Sequence, residues 1–547
     1  LLSWCAQHEA ASAASVLGGF ETGTYALSTQ PIPADTTLRI GTETFCVATE
    51  GVGVSPVHAR RPCAEPTPIT APFTWHNDHY TAAITTEGLA VDGRPGQARI
   101  EVRADAGDTY SSEPGELIGE LSPTGTPLLS TSDLDAQVSY RAKLETDSIR
   151  ISADVVVRFD HTPLINIDIV LDSDGTGFRA DVLFDSGIES DSVSVSMPFD
   201  VVERAHRDDD LLPHDIPDDL KAILMGQRET GSVDEFPVHD FLALSDQNRA
   251  WAVLGSGNRS CSSTPDGTMS LGLRRATEWL ALTGLSGRSG DAGPAMYVPG
   301  ARCEREVIHR LALVVLPGPD TIGRLVPLSE AFHNPALIAD VDGEGTEIEW
   351  RAFTESLPMT SLAMEDGTPT ARFYNPHNEP HPLTQPRPRT SLRGSDLGSA
   401  TELEPKEIVT LAVPFDPPPA PMGATVTVLN PTEVRVGPSR SVPESEVLDA
   451  LVRRISDLEQ KLAENSSERA SATGSAAYRL EHLEYVLDRE RLELQLSLEL
   501  NRRLQASTDE VSIPDHADPE IADLGWELNE LRVKRRIFDY VVQSLAD

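Results

Sequence analysis

EFPVHDFLALSDQNRAWAVLG (residues 235–255) sets two apolar runs, Phe236–Leu244 and Trp251–Leu254, on either side of a polar turn, Ser245–Arg249. Short apolar runs that are bounded by turn residues are typical of buried β-strands. The stretch therefore predicts a buried hairpin of a β-sheet. A loop rich in Gly and Pro follows at 284–299, and a loop of this length in a compact domain is usually functional or disordered.

Alternation of apolar and polar residues continues on both sides of this hairpin. Runs separated by Gly, Pro, Asn and Asp predict strands at 79–91, 98–104, 149–159, 164–173, 178–185, 192–199, 307–316, 346–353, 371–376, 407–415 and 424–430. Many strands at short intervals, without helices between them, indicate packed β-sheets rather than α/β units. The chain is long enough for about two to four domains.

Both ends of the chain have a helical period. Residues 1–20 have one apolar face, and Gly18-Gly19 would end that helix. After Pro443 a heptad seam is formed by Leu448, Leu451, Ile455, Leu458 and Leu462. Two further helices are predicted at about 476–506 and 519–546, so the tail is a helical bundle or coiled-coil hairpin. It is either a self-contained packing module or an oligomerisation or docking device.

The charge balance excludes one class of partner. The chain has 86 acidic and 45 basic side chains and a net charge of −41, whereas proteins that bind the phosphate backbone need surfaces rich in Lys and Arg. We therefore expect no nucleic-acid partner. No apolar run approaches the ~20 residues that cross a membrane, and no signal peptide is recognisable. We expect a cytoplasmic protein without a membrane partner.

Cysteine usage and short motifs narrow the chemistry further. The five cysteines are odd in number and lack C-x-x-C spacing, which disfavours a zinc ribbon or a disulfide framework. Cys46 and Cys63 either bridge a loop or are free thiols. The run Asp208-Asp209-Asp210 is either a solvated loop or a calcium site. The motifs of common hydrolases and nucleotide-binding proteins are absent from the sequence.

Several motifs resemble the C-terminal β-region of glycoside hydrolase family 38, the retaining α-mannosidases. The family's F-P-x-H-x-F-x-x-L-x-D strand is matched by Phe236, Pro237, His239, Phe241, Leu244 and Asp246. The run that follows it in the family is matched by Leu273, Arg275, Trp279 and Leu280. The R-x-G-x-A-G-P loop and the turn after it are matched by Arg288, Gly290, Ala292, Gly293, Pro294, Pro299, Ala301, Arg302 and Cys303.

Other pieces follow in the family's order and extend the resemblance over about residues 70–415. The D-x-G-D-x-Y-x-x-x-P turn is matched by Asp105, Gly107, Asp108, Tyr110 and Pro114. Family-like strands are FRADVLF (178–184), MPFDVVER (197–204), SLAMEDGTPTARFYNPHNEP (361–380) and LEPKEIVTLAV (403–413).

The resemblance implies a mainly β fold with several parts. We expect a helical segment at 1–35, which ends a preceding catalytic part, and a galactose-mutarotase-like β-supersandwich at 36–330. A smaller β-sandwich is expected at 331–440 and a C-terminal α-helical bundle or coiled coil at 441–547.

The resemblance also implies a function. In the family, an N-terminal α/β domain supplies the nucleophilic Asp and most ligands of a divalent metal, usually zinc, and hydrolysis retains configuration through a glycosyl-enzyme intermediate. Such a domain or subunit would precede Leu1. This chain would be inactive alone and would complete the cleft for a terminal α-mannoside. The alternative is a non-enzymatic carbohydrate-binding or assembly protein. The helical tail suggests a homo-oligomer.

The resemblance assigns no catalytic residue to this chain but singles out four others. His8 lies in a segment similar to the family's last metal-ligand motif, and is either a zinc ligand or a helix-surface histidine. Tyr110, with Asp108, matches a turn that presents a hydroxyl to substrate, or else it packs on the sheet. Arg275 either reaches a sugar hydroxyl or forms a structural ion pair. His239 is expected to be a satisfied strand histidine.

Overall fold

The 235–255 stretch forms the predicted hairpin in the computed structural model. Phe241–Ser245 and Arg249–Ser256 are antiparallel strands, with Phe241 opposite Leu254. The first part of the stretch, Glu235–Pro237, is a separate strand that pairs with residues 260–262 in another sheet. The residues between the two strands therefore carry the chain from one sheet to the next.

The structure describes residues 13, 16–17, 19–49, 52–69, 72–85, 88–206, 235–285, 292–318, 322–345, 350–353, 357–365, 368–390, 396–413, 424–430, 443–473, 475–506, 524, 526–528 and 530–531.

The first strands, numbered in chain order, are β1 (Glu21–Ser28), β2 (Ile32–Ile40), β3 (Glu43–Thr49), β4 (Val52–Pro56), β5 (Ala59–Pro62), β6 (Thr67–Pro68), β7 (Phe73–His76), β8 (Thr81–Thr85), β9 (Gly88–Val91), β10 (Arg94–Gln97) and β11 (Arg99–Asp105). The next are β12 (Pro114–Glu120), β13 (Ser122–Thr131), β14 (Ala136–Glu145), β15 (Arg150–Phe159), β16 (Leu164–Asp174), β17 (Phe178–Asp185), β18 (Ser192–Met197), β19 (Asp200–Ala205), β20 (Glu235–Pro237), β21 (Phe241–Ser245) and β22 (Arg249–Ser256). The last are β23 (Ser260–Ser263), β24 (Thr268–Ala276), β25 (Val307–Pro317), β26 (Leu337–Glu344), β27 (Trp350–Phe353), β28 (Met359–Glu365), β29 (Thr368–Tyr374), β30 (His381–Thr390), β31 (Asp396–Leu403), β32 (Ile408–Ala412) and β33 (Thr425–Val428). Three helices are named α1 (Ile322–His333), α2 (Glu444–Arg469) and α3 (Ser475–Ala506), and Pro299–Arg302 forms a 3₁₀ turn.

The fold is mainly β, as predicted. Every predicted strand region contains a strand, because alternating apolar residues bury one face of each. The helix α1 was not predicted. Its sequence contains Pro327 in the interior, and proline is a strong signal against a continuous helix.

Two large sheets share one core. The ten-stranded sheet has the order β19-β18-β21-β22-β25-β16-β15-β14-β13-β6, and the six-stranded sheet has the order β12-β11-β17-β24-β23-β20. Inward-facing residues of both sheets, among them Ile167, Trp251, Val182 and Leu271, belong to one buried cluster. The four-stranded sheet β10-β9-β8-β7 packs against the same cluster. Each large sheet therefore keeps a second face, and that face can carry polar residues.

The expected division of the chain into segments is wrong at its N-terminal boundaries. Residues 13, 16 and 17 are helical, in agreement with a helix at 1–20, but Glu21–Ser28 and Ile32 onwards are strands rather than the rest of a helical segment to residue 35. Strands β1 and β4 join β26, β27 and β33 in one five-stranded sheet. The expected boundary at 330/331 therefore does not separate the sheets. Pairing between strands some three hundred residues apart leaves no local signal in the sequence.

The smaller sheets and the tail complete the fold. A second five-stranded sheet, β28-β29-β32-β30-β31, has its own core, and β2-β3-β5 form a three-stranded sheet. The helices α2 and α3 form an antiparallel hairpin, in which the Asn465 side chain donates to the Leu480 carbonyl oxygen 2.8 Å away and Arg454 pairs with Glu490 at 2.7 Å. The described residues of the third predicted helix, 524, 526–528 and 530–531, are also helical. Among the described residues, no helix has the length and apolar character needed to cross a membrane.

Candidate functional site

Three arginines stand side by side on the outer face of the six-stranded sheet. Arg103 on β11 lies opposite Arg179 on β17, and Arg179 lies opposite Arg275 on β24. The residues between them in sequence, such as Val102 and Ala180, face the shared core. Because strand side chains alternate between faces, the same strands that build the core also build this polar row.

Carboxylates neutralise the row. Arg179 forms a bidentate pair with Asp181 at 2.7 and 2.8 Å and also contacts Glu235 at 3.0 Å. Burial opposes ionisation of Glu235, but the charge of Arg179 and its hydrogen bonds lower the pKa of Glu235 below its usual value. Burial raises the pKa of Asp181. The centre of the row is therefore a closed ionic network rather than a set of open binding groups.

Asp105 anchors the other end of the row. Its Oδ2 lies 2.7 Å from Arg275 Nε, and its Oδ1 accepts the backbone N–H groups of Gly107 and Glu113, each at 2.9 Å. Burial alone would raise the pKa of Asp105, but the hydrogen bond and charge of Arg275, with these N–H groups, hold that pKa below its usual value. Arg275 Nη2 also donates to the Ser111 carbonyl oxygen at 3.0 Å. The predicted Arg275 is thus in a structural ion pair, one of its two expected roles.

Asp108 shapes the turn that follows β11. It is completely buried, and its Oδ1 accepts the N–H groups of Tyr110 and Ser111 at 2.9 and 2.8 Å. Its Oδ2 accepts the N–H of Leu282 at 2.7 Å. These bonds turn the carboxylate inward, so Asp108 fixes the turn and ties it to the segment after β24.

Glycine is required inside this turn. A Cβ atom on Gly107 would lie 2.1 Å from the Ser111 carbonyl oxygen and 2.7 Å from the Glu113 nitrogen. No real Cβ contact is that short, and both of these are backbone atoms that cannot move aside. The glycine of the family-like D-x-G-D-x-Y motif is therefore explained by close backbone approach.

Tyr110 projects from the tip of the turn. Its side chain is 57% exposed, whereas the backbone beneath it is held by Thr109, whose N–H donates to the Trp279 carbonyl oxygen at 3.1 Å and whose Oγ1 donates to that of Leu280 at 2.6 Å. A Cβ on Gly293 would lie 3.5 Å from the Tyr110 hydroxyl oxygen, so the ring edge borders the loop of the family-like R-x-G-x-A-G-P motif. An exposed aromatic hydroxyl on a rigid turn is a suitable contact for a ligand.

The helical tail supports the segment on which this turn rests. Trp279, Leu282 and Leu285 pack with residues of the predicted heptad seam, including Leu451 and Leu458. Glu490 on α3 is completely buried, accepts the Thr283 N–H at 3.0 Å and pairs with Arg454. The seam is therefore occupied within the chain.

A second ionic group closes the same side. Arg302 pairs with Glu278 at 2.6 Å and with Glu446 on α2 at 2.5 Å, and its guanidinium lies 5.8 Å from the centre of the Tyr297 ring. A cavity of about 200 Å³ remains between the turn and α2, lined by Asp105, Thr277, Trp279 and Arg454 among others.

The remaining predicted residues lie elsewhere. His239 follows β20, and its Nδ1 lies 2.8 Å from Asp240 Oδ2, so it is a paired histidine. Cys46, Cys63, Cys261 and Cys303 are free thiols, and no bridge joins Cys46 to Cys63. The predictions on His8, Arg288 and Asp208–Asp210 lie outside the described residues. Within the described ranges, no group of three or more His, Cys, Asp or Glu side chains is arranged to hold a metal ion, so these residues do not fit the metal that the resemblance implies.

The Arg179–Asp181–Glu235 network was not predicted. One signal was present, since Arg179 and Asp181 are two residues apart in the apolar strand FRADVLF and must share a face. Glu235, 54 positions after Asp181 in the numbering, joins them only through the sheet.

Comparisons with known proteins bear on the fold. No protein-family model and no curated protein sequence matches the chain. Among solved structures, the chain is similar to an α-mannosidase from Enterococcus faecalis V583, with 14% identity and a TM-score of 0.53 over 72% of this chain and 51% of that protein. It is also similar to a glycosyl hydrolase family 38 protein from Enterococcus faecalis, with 13% identity and a TM-score of 0.52 over 74% of this chain and 53% of that protein. The chain spans about half the length of these proteins, and at such identities the likeness shows the fold alone.

Proposed function

We propose that this chain forms the β-rich part of an α-mannosidase-like glycoside hydrolase that removes terminal α-mannosides with retention. The observation that carries the proposal is the combination of a family 38-like fold over 72% of the chain with an exposed tyrosine on the rigid Asp105–Glu113 turn. The fold likeness alone would not assign an activity.

In this proposal the two large sheets correspond to a galactose-mutarotase-like supersandwich, and the sheet β28-β29-β32-β30-β31 belongs to a smaller β-sandwich. Their shared core and separate core, respectively, support that division. The helices at 441–547 act as a bracing module for the Tyr110 side of the supersandwich.

The roles of the site residues follow from their contacts. Tyr110 is the proposed substrate contact, because its hydroxyl-bearing side chain is exposed. Asp108 and Arg275 are positioning residues, since their polar atoms are bonded to the turn itself. No residue of this chain is proposed as nucleophile or general acid.

The proposed enzyme needs an α/β catalytic domain or subunit. That part would supply the nucleophilic carboxylate and bind most of a divalent metal, zinc in this proposal, with His8 as one further ligand. When bound, the metal would polarise sugar hydroxyls. The residues of the described β-region would contribute orientation and close the cleft, and the chain alone would be inactive.

Two smaller elements belong to the proposal. The free thiols support a reducing, cytoplasmic location. Self-association through the helical tail would use surfaces other than the heptad seam, because Leu451, Ile455 and Leu458 are buried within the chain.

The test is purification of the native protein through a tag on this chain. Mass spectrometry should identify an α/β segment or subunit that carries metal-binding His and Asp residues. The assembly should hydrolyse an aryl α-mannoside and should leave the matched β-mannoside and α-glucoside intact. NMR of the first-formed sugar should find the α-anomer, as retention requires.

A negative result is equally clear. If the native protein contains no such segment or subunit and hydrolyses none of these glycosides, the enzymatic proposal fails. Binding of mannosides by that inactive protein would then favour a carbohydrate-binding protein instead.

A further inference from the structure

A cavity of about 490 Å³ lies on the opposite side of the molecule from the Tyr110 turn. Its floor is the outer face of the ten-stranded sheet, at β15, β16 and β25, and its walls are β2 and the C-terminal half of α1. This volume is within the range of about 300–1,000 Å³ that is usual for small-molecule sites. None of the residues considered so far for the α-mannosidase-like function lines it.

The floor of the cavity is polar and fixed. Arg158 lies opposite Asn166, and Asp168 lies opposite Arg310, on three hydrogen-bonded strands. Arg158 Nη2 donates to Asp168 Oδ2 at 2.7 Å. The side chains of Asn166 and Arg310 make no hydrogen bond or ion pair to any residue that the structure describes. Planar amide, carboxylate and guanidinium groups therefore stand together with hydrogen-bonding capacity to spare.

One wall of the cavity is apolar. Phe332 and Leu328 on α1 line it, with Ala331 and Pro335 beside them. Leu328 is buried and Phe332 is half-buried, and both pack against the outer apolar cluster of the ten-stranded sheet. An aromatic ring faces the cavity from a helix that is itself held in place.

The opposite wall is tied to the floor by a buried carboxylate. Asp160 Oδ2 accepts the Thr37 N–H at 3.2 Å and the Thr37 hydroxyl at 3.0 Å, and its Oδ1 accepts the Thr162 N–H at 2.9 Å and the Thr162 hydroxyl at 2.5 Å. These bonds hold β2 against the sheet. The cavity is therefore formed before any ligand arrives, which removes an ordering cost from binding.

We propose that this cavity binds a single saccharide ring. A pyranose has hydroxyl groups around its edge and C–H groups on its faces. Its edge would meet the Arg158, Asn166 and Asp168 side chains, which can bond two neighbouring hydroxyls at once. One C–H face would lie against Phe332, which offers an apolar surface of similar width. Arg310 at the exposed rim would hold a further hydroxyl.

This inference is independent of the proposed enzymatic function. The Tyr110 turn lies on the outer face of the six-stranded sheet, and the shared core separates it from the cavity. A chain without a catalytic partner would still bind sugar here.

The test is saturation-transfer difference NMR on the purified 547-residue chain. The probes are methyl α-mannoside, methyl α-glucoside and the open-chain polyol sorbitol. We expect at least one methyl glycoside to bind and sorbitol to bind more weakly, because an open chain presents no flat face to Phe332. Asn166→Ala and Arg310→Ala should each weaken glycoside binding at least about threefold, through loss of a hydrogen bond.

Asp154→Asn is the matched control. Asp154 lies on the same strand and the same face as Arg158 but pairs with Arg141 outside the cavity, so this variant should bind as the wild type does. Equal binding by the wild type, Asn166→Ala and Arg310→Ala would locate the sugar elsewhere and overturn the proposal. Absence of binding by either glycoside, or equal binding of sorbitol, would also overturn it.

Discussion

Arg275 Nε lies 2.7 Å from Asp105 Oδ2, although the two residues are 170 positions apart in the chain. Asp105 is 4% exposed, and the same carboxylate accepts two backbone N–H groups of the turn that carries Tyr110. This ion pair joins β24 to the end of β11. It therefore couples the family-like strand of Arg275 to the only part of the site that reaches solvent among the residues discussed.

Replacement of Arg275 by alanine should destabilise the turn. The change leaves a buried carboxylate without its cation, and such a loss usually costs about 3–5 kcal/mol. Arg275 is itself partly exposed, so roughly 2–3 kcal/mol is expected here. Thermal unfolding should begin at a lower temperature, and the amides of Tyr110 and Ser111 should exchange faster with deuterium.

Arg103→Ala is the control for that experiment. Arg103 stands in the same row but is 42% exposed and contacts Glu101 at 3.1 Å, so its loss should cost less than about 1 kcal/mol. Equal effects of the two substitutions would contradict a special role for the Arg275–Asp105 pair.

Gly107→Ala should disrupt the same turn through sterics alone. The added Cβ would lie 2.1 Å from the Ser111 carbonyl oxygen, and the backbone would have to shift. We expect a loss of about 3 kcal/mol or more, comparable to severe overpacking. Gly300→Ala should be tolerated, because nothing lies within 4 Å of a Cβ at that position. Comparison of the two thermal unfolding curves is sufficient, and similar curves would show that the turn can open.

Tyr110→Phe should lower the activity of the complete enzyme on an aryl α-mannoside. Loss of one hydrogen bond to the sugar corresponds to about 1–1.5 kcal/mol, or roughly a five- to tenfold decrease in kcat/KM. Thermal unfolding should not change, because the Tyr110 side chain is largely exposed. Tyr140→Phe, at a remote position on β14, controls for the loss of a hydroxyl. Unchanged kinetics for Tyr110→Phe would remove this tyrosine from the site.

Glu330 should make stability depend on pH. It lies on α1, where burial and the neighbouring charge of Asp240 raise its pKa to about 7, and the Tyr374 hydroxyl lies 3.3 Å from its Oε1. A carboxyl whose pKa is raised on folding favours the folded state fully below its unfolded pKa of about 4.5. That advantage is lost as the pH rises to about 7, and the loss amounts to roughly 2–3 kcal/mol.

Glu330→Gln should therefore be close to the wild type near pH 4.5 and more stable than the wild type at pH 8, as measured by thermal unfolding. His239 and His333 lie in the same cluster around Asp240, so the difference between the two proteins is the relevant quantity. Glu344→Gln, at an exposed position, should cause no such divergence. A constant difference across the pH range would contradict the role of Glu330.

The sequence determined the local elements. The apolar runs of 235–255 predicted the hairpin, and alternation predicted the long strands such as β15 and β16, because a strand with one buried face must repeat every two residues. The heptad spacing from Leu448 predicted the helix α2. The free state of Cys46 and Cys63 was one of two readings that the spacing left open.

Only the tertiary structure decided which elements meet. The sequence gives no local sign that β1 pairs with β26, that the heptad seam is covered by Trp279 and Leu282, or that Glu235 joins Arg179. It identified Asp108, Tyr110 and Arg275 by motif, but their roles depend on which atoms they contact. Strand periodicity says which face a side chain occupies, whereas the partner of that face is set by sheet order and packing between residues far apart in the chain.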